Sequence, residues 1–424
     1  MEAHASTGGE PPVEEGLRLL IVAADKYPPF RVDVTVLFGE ELAGRGHTLD
    51  LVLQAKAPNA RAYDTAWGGG EAWVGPSNGG TSRWARLVKN VRALVHDVSG
   101  LWRARRRRYD IVQVKDKFVS ALVCLVFARA TGARFTYWLS FPYPEASQYA
   151  ARVGAARFPW FYRARGQVYR LLLYRIIMPA ADHVFVQSEQ MKRDVCAMGI
   201  DARKVTPVPM GVSLETLTVP AAIPEGGARR VVYLGTLARV RRLDFLVRAF
   251  RPVAERMPEA DLCFVGDGND PQDMAFLRAE VKRCGLSERV VFTGRLPRGD
   301  ALAISASAAV CVSPFYPTPI LNSTSPTKLI EYMAMGRAVV ANDHPEQRAV
   351  LEASGGGICV PYEEEVFGEA IHYLLANPKL AREMGGRGKR YVERHRTYPR
   401  IADVVEAQYR RLAAGTRRRR AGGS

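Results

Sequence analysis

Short apolar runs alternate with amphipathic stretches along nearly the whole chain. Residues 17–23 (LRLLIVA), 48–54, 109–115, 134–139 and 181–188 are dense in leucine, β-branched and aromatic side chains, and have the length of buried strands. Residues 35–43 and 118–130 space apolar side chains three and four apart, which predicts helices between them. The pattern then restarts. Residues 230–234, 261–265, 289–293, 309–313 and 338–341 read as strands, with helices over 326–335, 363–376, 378–396 and 401–412. Strands alternating with helices predict α/β architecture, with parallel sheets that place ligands at the carboxyl ends of their strands. Between the two series, residues 214–229 hold Pro220, Pro224 and the Gly226-Gly227 pair, the composition of a linker. The expected organisation is a flexible tail over 1–16, a domain over 17–213, the linker, a second domain over 230–396, a terminal helical segment over 397–414 and a disordered basic tail over 415–424. Residues 58–82, rich in Gly, Ala and Trp, read as a loop with little order of its own.

One stretch carries more than fold: STSPTKLIEYMAMGRAVVA, over 323–341. Ser325 is a good N-cap, and Pro326 suits the first helical position. Leu329, Ile330, Met333 and Ala334 make a buried stripe, and Gly336 ends the helix before a buried strand. Lys328 then falls in the first turn, where the helix dipole disfavours a cation. A lysine beside unpaired backbone N–H groups at a helix start suits a diphosphate. Glu331 lies one turn on, on the face of Lys328 and Thr327, where a carboxylate can accept two hydrogen bonds from a ribose diol. The alternative is a well-capped surface helix with a Lys–Glu pair. Upstream, GTLARVRRLD over 235–244 gathers Gly235, Thr236, Arg239 and Arg241. Forked guanidinium donors suit phosphate oxygens; a solvated basic turn is the other reading. Gly266-Asp267-Gly268 ends a further strand in a tight turn.

The 323–341 stretch resembles the donor-binding signature of the family 4 glycosyltransferases of the GT-B fold. Other pieces match that family in the same order over roughly residues 17–395, including the strand–loop–helix–Arg45-Gly46-His47–strand opening. The resemblance implies two Rossmann-like, doubly wound domains facing a central cleft, with the terminal helix packed back on the first. It implies a UDP- or GDP-linked sugar donor and retaining transfer. Arg241 takes the place of the lysine downstream of the family's glycine loop. Arg241, Lys328 and Glu331 are then the catalytic candidates. Gly235, Thr236, Arg239, Gly266, Gly294, Arg295, Leu296, Ser325, Pro326, Thr327 and Leu329 are the donor-binding ones, with the backbone of Gly294-Arg295-Leu296 toward the base. Two departures stand out. Ser323 occupies the position of the family's first glutamate, which lies close to the transferred sugar, and the histidine common near residues 138–140 is missing. Lys26, Asp116, Ser140 and Glu145, at or near carboxyl strand ends of the first domain, are the acceptor-side candidates. His47 reads as a loop or packing histidine.

Charge placement adds a partner. The formal net charge is +17, and residues 51–200 carry 23 basic against 9 acidic side chains. Residues 83–108 form a predicted basic helix with an apolar stripe of Trp84, Leu87, Val91, Leu94, Val95 and Val98. Residues 148–179 interleave Arg152, Arg157, Arg163, Arg165 and Arg170 with Phe158, Trp160, Phe161, Tyr162 and Tyr169. Basic residues among aromatics suit an anionic membrane surface. Base stacking by nucleic acid, less favoured, and ordinary helices with arginines outward are the other readings. No apolar run is long enough to span a bilayer, and the polar, acidic opening does not read as a signal peptide. Six scattered cysteines without C-x-x-C pairing suit a reduced, cytoplasmic protein. Neither Asp-x-Asp nor a metal-spaced cluster occurs, so no metal is expected and the diphosphate falls to Arg239, Arg241, Lys328 and the helix start. The expected activity is sugar transfer to a lipid-linked acceptor at the inner membrane face, in polysaccharide or glycoconjugate synthesis. A soluble small-molecule acceptor, or a GT-B-like binding or scaffold protein without turnover, are the alternatives.

Overall fold

A computed structural model describes residues 15–58, 60–77, 82–154, 158–218 and 229–421. The two predicted series of strands form two sheets, as the expected α/β architecture requires. Across the first, the order is Tyr63–Trp67, Gly69–Gly75, Thr48–Ala55, Arg18–Tyr27, Ile111–Lys115, Arg134–Leu139, His183–Val186 and Val205–Pro207. All neighbours in it are parallel except the first pair. The second runs Val290–Phe292, Ala260–Val265, Arg229–Leu234, Val310–Ser313, Val339–Asn342 and Gly357–Val360, parallel throughout. Helices cover both faces of each sheet, so the central strands are buried on both sides and read as unbroken apolar runs. The carboxyl edges of the sheets meet: the Ser188 hydroxyl donates to the Ser323 carbonyl at 2.7 Å, and the Met210 N–H donates to Ser325 Oγ at 2.9 Å.

The chain crosses between domains twice, and the crossings are stitched together. Val212 N–H donates to Arg396 O at 2.9 Å, and Tyr398 N–H to Val212 O at 3.1 Å. The returning helix, Tyr398–Ala421, lies in the core of the first domain through Tyr398, Ile401, Val405 and Tyr409. Tyr409 also donates its hydroxyl to Gln113 Oε1 at 2.6 Å. His47 is a packing residue: its Nδ1 accepts from Leu17 N–H at 2.9 Å and its Nε2 lies 3.1 Å from Glu406.

Several boundaries differ from the sequence reading. The first strand extends to Tyr27 through a register slip between Val22 and Lys26, so Asp25 and Lys26 belong to it and not to a loop. Its following helix, Asp33–Leu42, is π-helical and starts two residues early, which buries Asp33. Within 58–82, expected as a loop, Tyr63–Trp67 and Gly69–Gly75 form an antiparallel hairpin at the sheet edge. Gly68 and Gly69 make its turn at φ +55° and +70°, so the glycines that argued against strands are those that join them. The aromatic–arginine segment is two helices, Tyr143–Arg152 and Pro159–Leu171, packed on each other. Leu214–Leu217, at the head of the expected linker, is a helical turn. The terminal helix continues past residue 412, where the sequence reading ends it. The tail over 1–14, residues 219–228 of the linker and residues 422–424 lie outside the described residues.

Candidate active site

The 323–341 stretch folds into a helix, Thr327–Ala334, and the strand Val339–Asn342, with every helical residue after Thr327 buried. The cap differs from expectation. Pro326 is the N-cap, because the Ser325 hydroxyl is already engaged: it accepts from Met210 N–H and donates to Glu346 Oε1 at 2.7 Å. Thr327 is thus the first helical residue and Lys328 the second.

Lys328 is 9% exposed, and among the described residues no carboxylate lies within 4.0 Å of its ammonium. Its Nζ donates to the Tyr233 hydroxyl at 2.8 Å and sits 4.2 Å from the centre of that ring and 5.1 Å from that of Phe315. Arg241 stands close enough to the same phenol to favour its charged form. Burial first, then Arg241, holds the Lys328 ammonium well below the ordinary lysine range. Burial also pushes the Tyr233 phenol up to about 12. Gly235 opens the space over this cluster: a Cβ there would stand 3.6 Å from Nζ, and its φ of +147° favours glycine. Two cations, a buried hydroxyl and the N–H groups of a helix start converge, and among the described residues no carboxylate stands in ion-pair contact with Lys328; Glu331 acts on it only from farther off. That is a site for negative charge.

Glu331 is 8% exposed and faces Arg298, whose guanidinium lies 3.2 Å from Oε1. Burial raises its carboxyl, and Arg298 and Lys328 pull it back. Gly266 is there for close approach, since a Cβ would meet the Gly235 carbonyl at 2.0 Å. It bridges Gly294, which has φ +70° and is followed by exposed Arg295 and half-buried Leu296. Thr236 is half-buried in the loop after Gly235. Leu329 is fully buried core and offers a ligand only its backbone. Arg239 does not join Lys328: its guanidinium stacks 4.6 Å over Phe276 and its N–H donates to Asp273. Sequence reasoning missed Tyr233, Phe315 and Arg298. Only Tyr233 had a signal, a phenol in the middle of an otherwise aliphatic buried strand.

Across the cleft, a charged cluster lines the carboxyl edge of the first sheet. Lys115 is fully buried, with Asp25 at 2.7 Å, Asp33 at 3.6 Å and Asp116 at 3.9 Å; Arg31 bonds Asp33 at 3.0 Å. Asp116 and Ser140 are brought together as expected candidates. Asp116 accepts from Ser140 N–H at 2.9 Å and from the Ser140 hydroxyl, while burial raises its carboxyl. Its φ of +58° is a strained conformation for aspartate, held by those two bonds. Lys26 points away and is exposed; Asp25 beside it joins the cluster instead. Glu145 stands apart, accepting from the Tyr174 hydroxyl at 3.1 Å on the wall of a cavity of about 480 Å³ between the domains. Ser323 is on that wall too, its hydroxyl bonded to Asp194 of the first domain. The position lacking the glutamate is therefore a contact between domains. Among the described residues, no three His, Cys, Asp or Glu side chains are grouped to hold a metal, and no helix is long and apolar enough to cross a membrane.

Comparison with known proteins agrees with this fold. The family model described as Glycosyltransferase Family 4 matches residues 33–216, and that described as Glycosyl transferases group 1 matches residues 228–377. The α-maltose-1-phosphate synthase of Mycolicibacterium smegmatis is 27% identical over 283 residues, 60% of this chain and 70% of that protein. In fold, the chain is similar to sucrose-phosphate synthase from Thermosynechococcus elongatus, with TM-score 0.72 and 20% identity over 94% of this chain and 100% of that one. It is also similar to Anabaena HepE in complex with UDP and glucose, with TM-score 0.65 and 15% identity over 92% and 99%.

Proposed function

The chain belongs to the glycosyltransferases, a family 4 domain joined to a group 1 domain in a GT-B fold, and on that premise we propose that its donor is a nucleoside diphosphate sugar held by the second domain. The observation that carries this is the buried Lys328 ammonium, without a carboxylate in ion-pair reach among the described residues, beside Arg241 and the Gly235 opening. Lys328, Arg241 and the first N–H groups of Thr327–Ala334 hold the diphosphate, and Glu331 accepts the ribose hydroxyls. Gly294-Arg295-Leu296 lie toward the base. UDP is the nucleotide to test first, because it is the one bound in the HepE structure; GDP is second.

In the reaction, the bond from the sugar's anomeric carbon to the leaving phosphate oxygen breaks, and a bond to the acceptor oxygen forms. The acceptor's proton passes to that phosphate oxygen on the same face, so the configuration is retained. Lys328 and Arg241 stabilise charge growing on the departing diphosphate, the logic of an oxyanion hole, and a metal ion has no part in this reading. Asp116 and Ser140 face the acceptor. The acceptor is lipid-linked and presented at the cytoplasmic membrane face, in polysaccharide or glycoconjugate synthesis; the basic excess of residues 51–200 supports this. The test is calorimetric binding of UDP and GDP, then transfer from their sugars with product configuration read by proton NMR. No binding of either nucleotide, or binding unchanged by Glu331→Ala, sinks the donor assignment.

A further inference from the structure

We infer that the helix Arg83–Ala104 and the helix Pro159–Leu171 form one face that docks the protein on an anionic lipid bilayer, at the mouth of the cleft. Among the described residues, the contacts that anchor the first helix gather in its C-terminal half. Gly100 packs on Val52 and Trp73, and Asp97 accepts from Gln54 at 3.2 Å, Lys117 at 2.7 Å and Ser120 at 2.6 Å. His96 Nε2 is 3.0 Å from the Trp73 carbonyl. Residue 96 is thus level with the carboxyl ends of the strands. The helix runs antiparallel to them, so residues 83–95 overhang that edge by about 20 Å at 1.5 Å per residue. The overhang lies on the cleft side of the sheet, the end that carries Asp116 and Ser140.

A globular protein turns the apolar stripe of an amphipathic helix inward. Here the stripe faces out: Trp84 is 76% exposed, Leu87 53%, Val91 51%, Val95 62%, Val98 44% and Trp102 64%. Arg86, Lys89 and Arg92 stand exposed among them, and the helix's one acidic residue, Asp97, is buried on Lys117. The second helix repeats this with Trp160 70% exposed, Phe161 49%, Val168 54% and Leu171 56%, alongside Arg163 and Arg170 and without an acidic residue. Both elements flank the same helix, Val119–Thr131, one directly and one through its continuation over Leu172–Ile177. On that shared helix Val126 is also exposed, at 69%.

The occupant follows from this chemistry. Two copies pairing through the face would bring like charges together. Single-stranded nucleic acid would use the tryptophans but leave the Leu and Val positions wet. An anionic bilayer takes both parts, seating the stripe at the acyl boundary and the cations among headgroups. The inference rests on the lipid-linked acceptor reading for its purpose, although its geometry stands independently.

The test uses the full chain and extruded vesicles of phosphatidylcholine, with and without phosphatidylglycerol. Sedimentation should show binding to the anionic vesicles at low salt, lost at high salt and on neutral vesicles. Trp84→Ser with Val91→Ser should weaken it at least tenfold, and Lys89→Ser about fivefold, while UDP affinity and the thermal midpoint hold. Wild-type protein left in the supernatant, or a double variant that binds as well as wild type, overturns the inference. So does a dimer by light scattering that the double variant dissociates, since a second copy then covers the face. Vesicle binding together with efficient transfer to a water-soluble acceptor keeps the docking face and removes the lipid-linked acceptor. Transfer to a lipid-linked acceptor in detergent by protein that ignores vesicles does the reverse.

Discussion

Replacing Lys328 with methionine keeps an unbranched chain only one heavy atom shorter and removes the charge, and it separates a ligand-binding role from a structural one. In the free protein the ammonium is buried on Tyr233 and Phe315, with no carboxylate within ion-pair distance among the described residues, so its desolvation is poorly compensated. Exchanging buried charges for apolar groups of similar volume is often neutral or stabilising by about 1–4 kcal/mol. The ligand-free Tm should therefore hold or rise. A bound diphosphate loses one charge-assisted hydrogen bond, about 1.5–3 kcal/mol, which weakens donor affinity roughly 10- to 150-fold at about 1.4 kcal/mol per decade. The assay is thermal unfolding with and without nucleotide. At a concentration 100 times the wild-type Kd, the ligand stabilises by about 2.7 kcal/mol; a 100-fold weaker variant gains about 0.4 kcal/mol under the same conditions. Proton linkage gives a second readout. The Lys328 pKa is lowered by burial and then by Arg241. Between the folded value and the unfolded lysine value, the unfolded chain binds more protons, so ligand-free stability rises with pH through that window. A bound diphosphate restores the proton, so wild-type binding enthalpy there should vary with the ionisation heat of the buffer, and the variant's should not. A ligand-free Lys328→Met protein several degrees less stable, with its nucleotide shift intact, would refute this account.

Glu331→Ala should abolish transfer and weaken nucleotide binding while circular dichroism and Tm stay close to wild type; retained activity would show that the ribose lies elsewhere. Arg298→Gln removes the guanidinium that counters the upward push of burial on Glu331. Since a raised carboxyl pKa loses the carboxylate at higher pH as pH falls, the acid limb of kcat/KM for the donor should move to higher pH; an unmoved acid limb rejects the pairing. Asp25→Ala takes the 2.7 Å partner from the fully buried Lys115, and breaking a buried pair costs about 3–5 kcal/mol, reduced here by Asp33 and Asp116; urea unfolding should show a loss of at least 1 kcal/mol or the cluster is not structural. Ser325→Ala leaves the buried Met210 N–H without its acceptor, at about 1–3 kcal/mol, measurable in the same titration.

The juxtaposition of Lys328 and Glu331 was legible because it is local in sequence. Lys328 and Glu331 are one helical turn apart, and a cation at a helix start is conspicuous against the dipole. The elements that escaped depend on contacts distant along the chain. Arg298 opens the helix Arg298–Ala306 and meets Glu331 on a separate helix, and nothing within 295–300 marks it. The Ser325 cap failed for the same reason: two partners, 115 and 21 residues away, claim its hydroxyl. Asp25 and Asp33 looked like loop and helix-start acids, and only the slip in the first strand and the early helix turn them onto Lys115. The edge hairpin was hidden because glycine-rich composition lowers strand propensity without forbidding a strand that a neighbour can template. The apolar stripe of residues 84–98 was read correctly, but periodicity cannot say which way a stripe faces.

The stitched crossing at Val212 and Arg396 makes the second domain, the proposed donor half, a cassette. Everything from residue 213 to 395 leaves and rejoins the rest of the protein at neighbouring points one hydrogen bond apart, while the last helix completes the hydrophobic interior of the other half. A donor-binding unit from a relative could be spliced between those two points without stretching the acceptor half, and specificity for nucleotide and sugar could then change while the receiving surface stayed as it is.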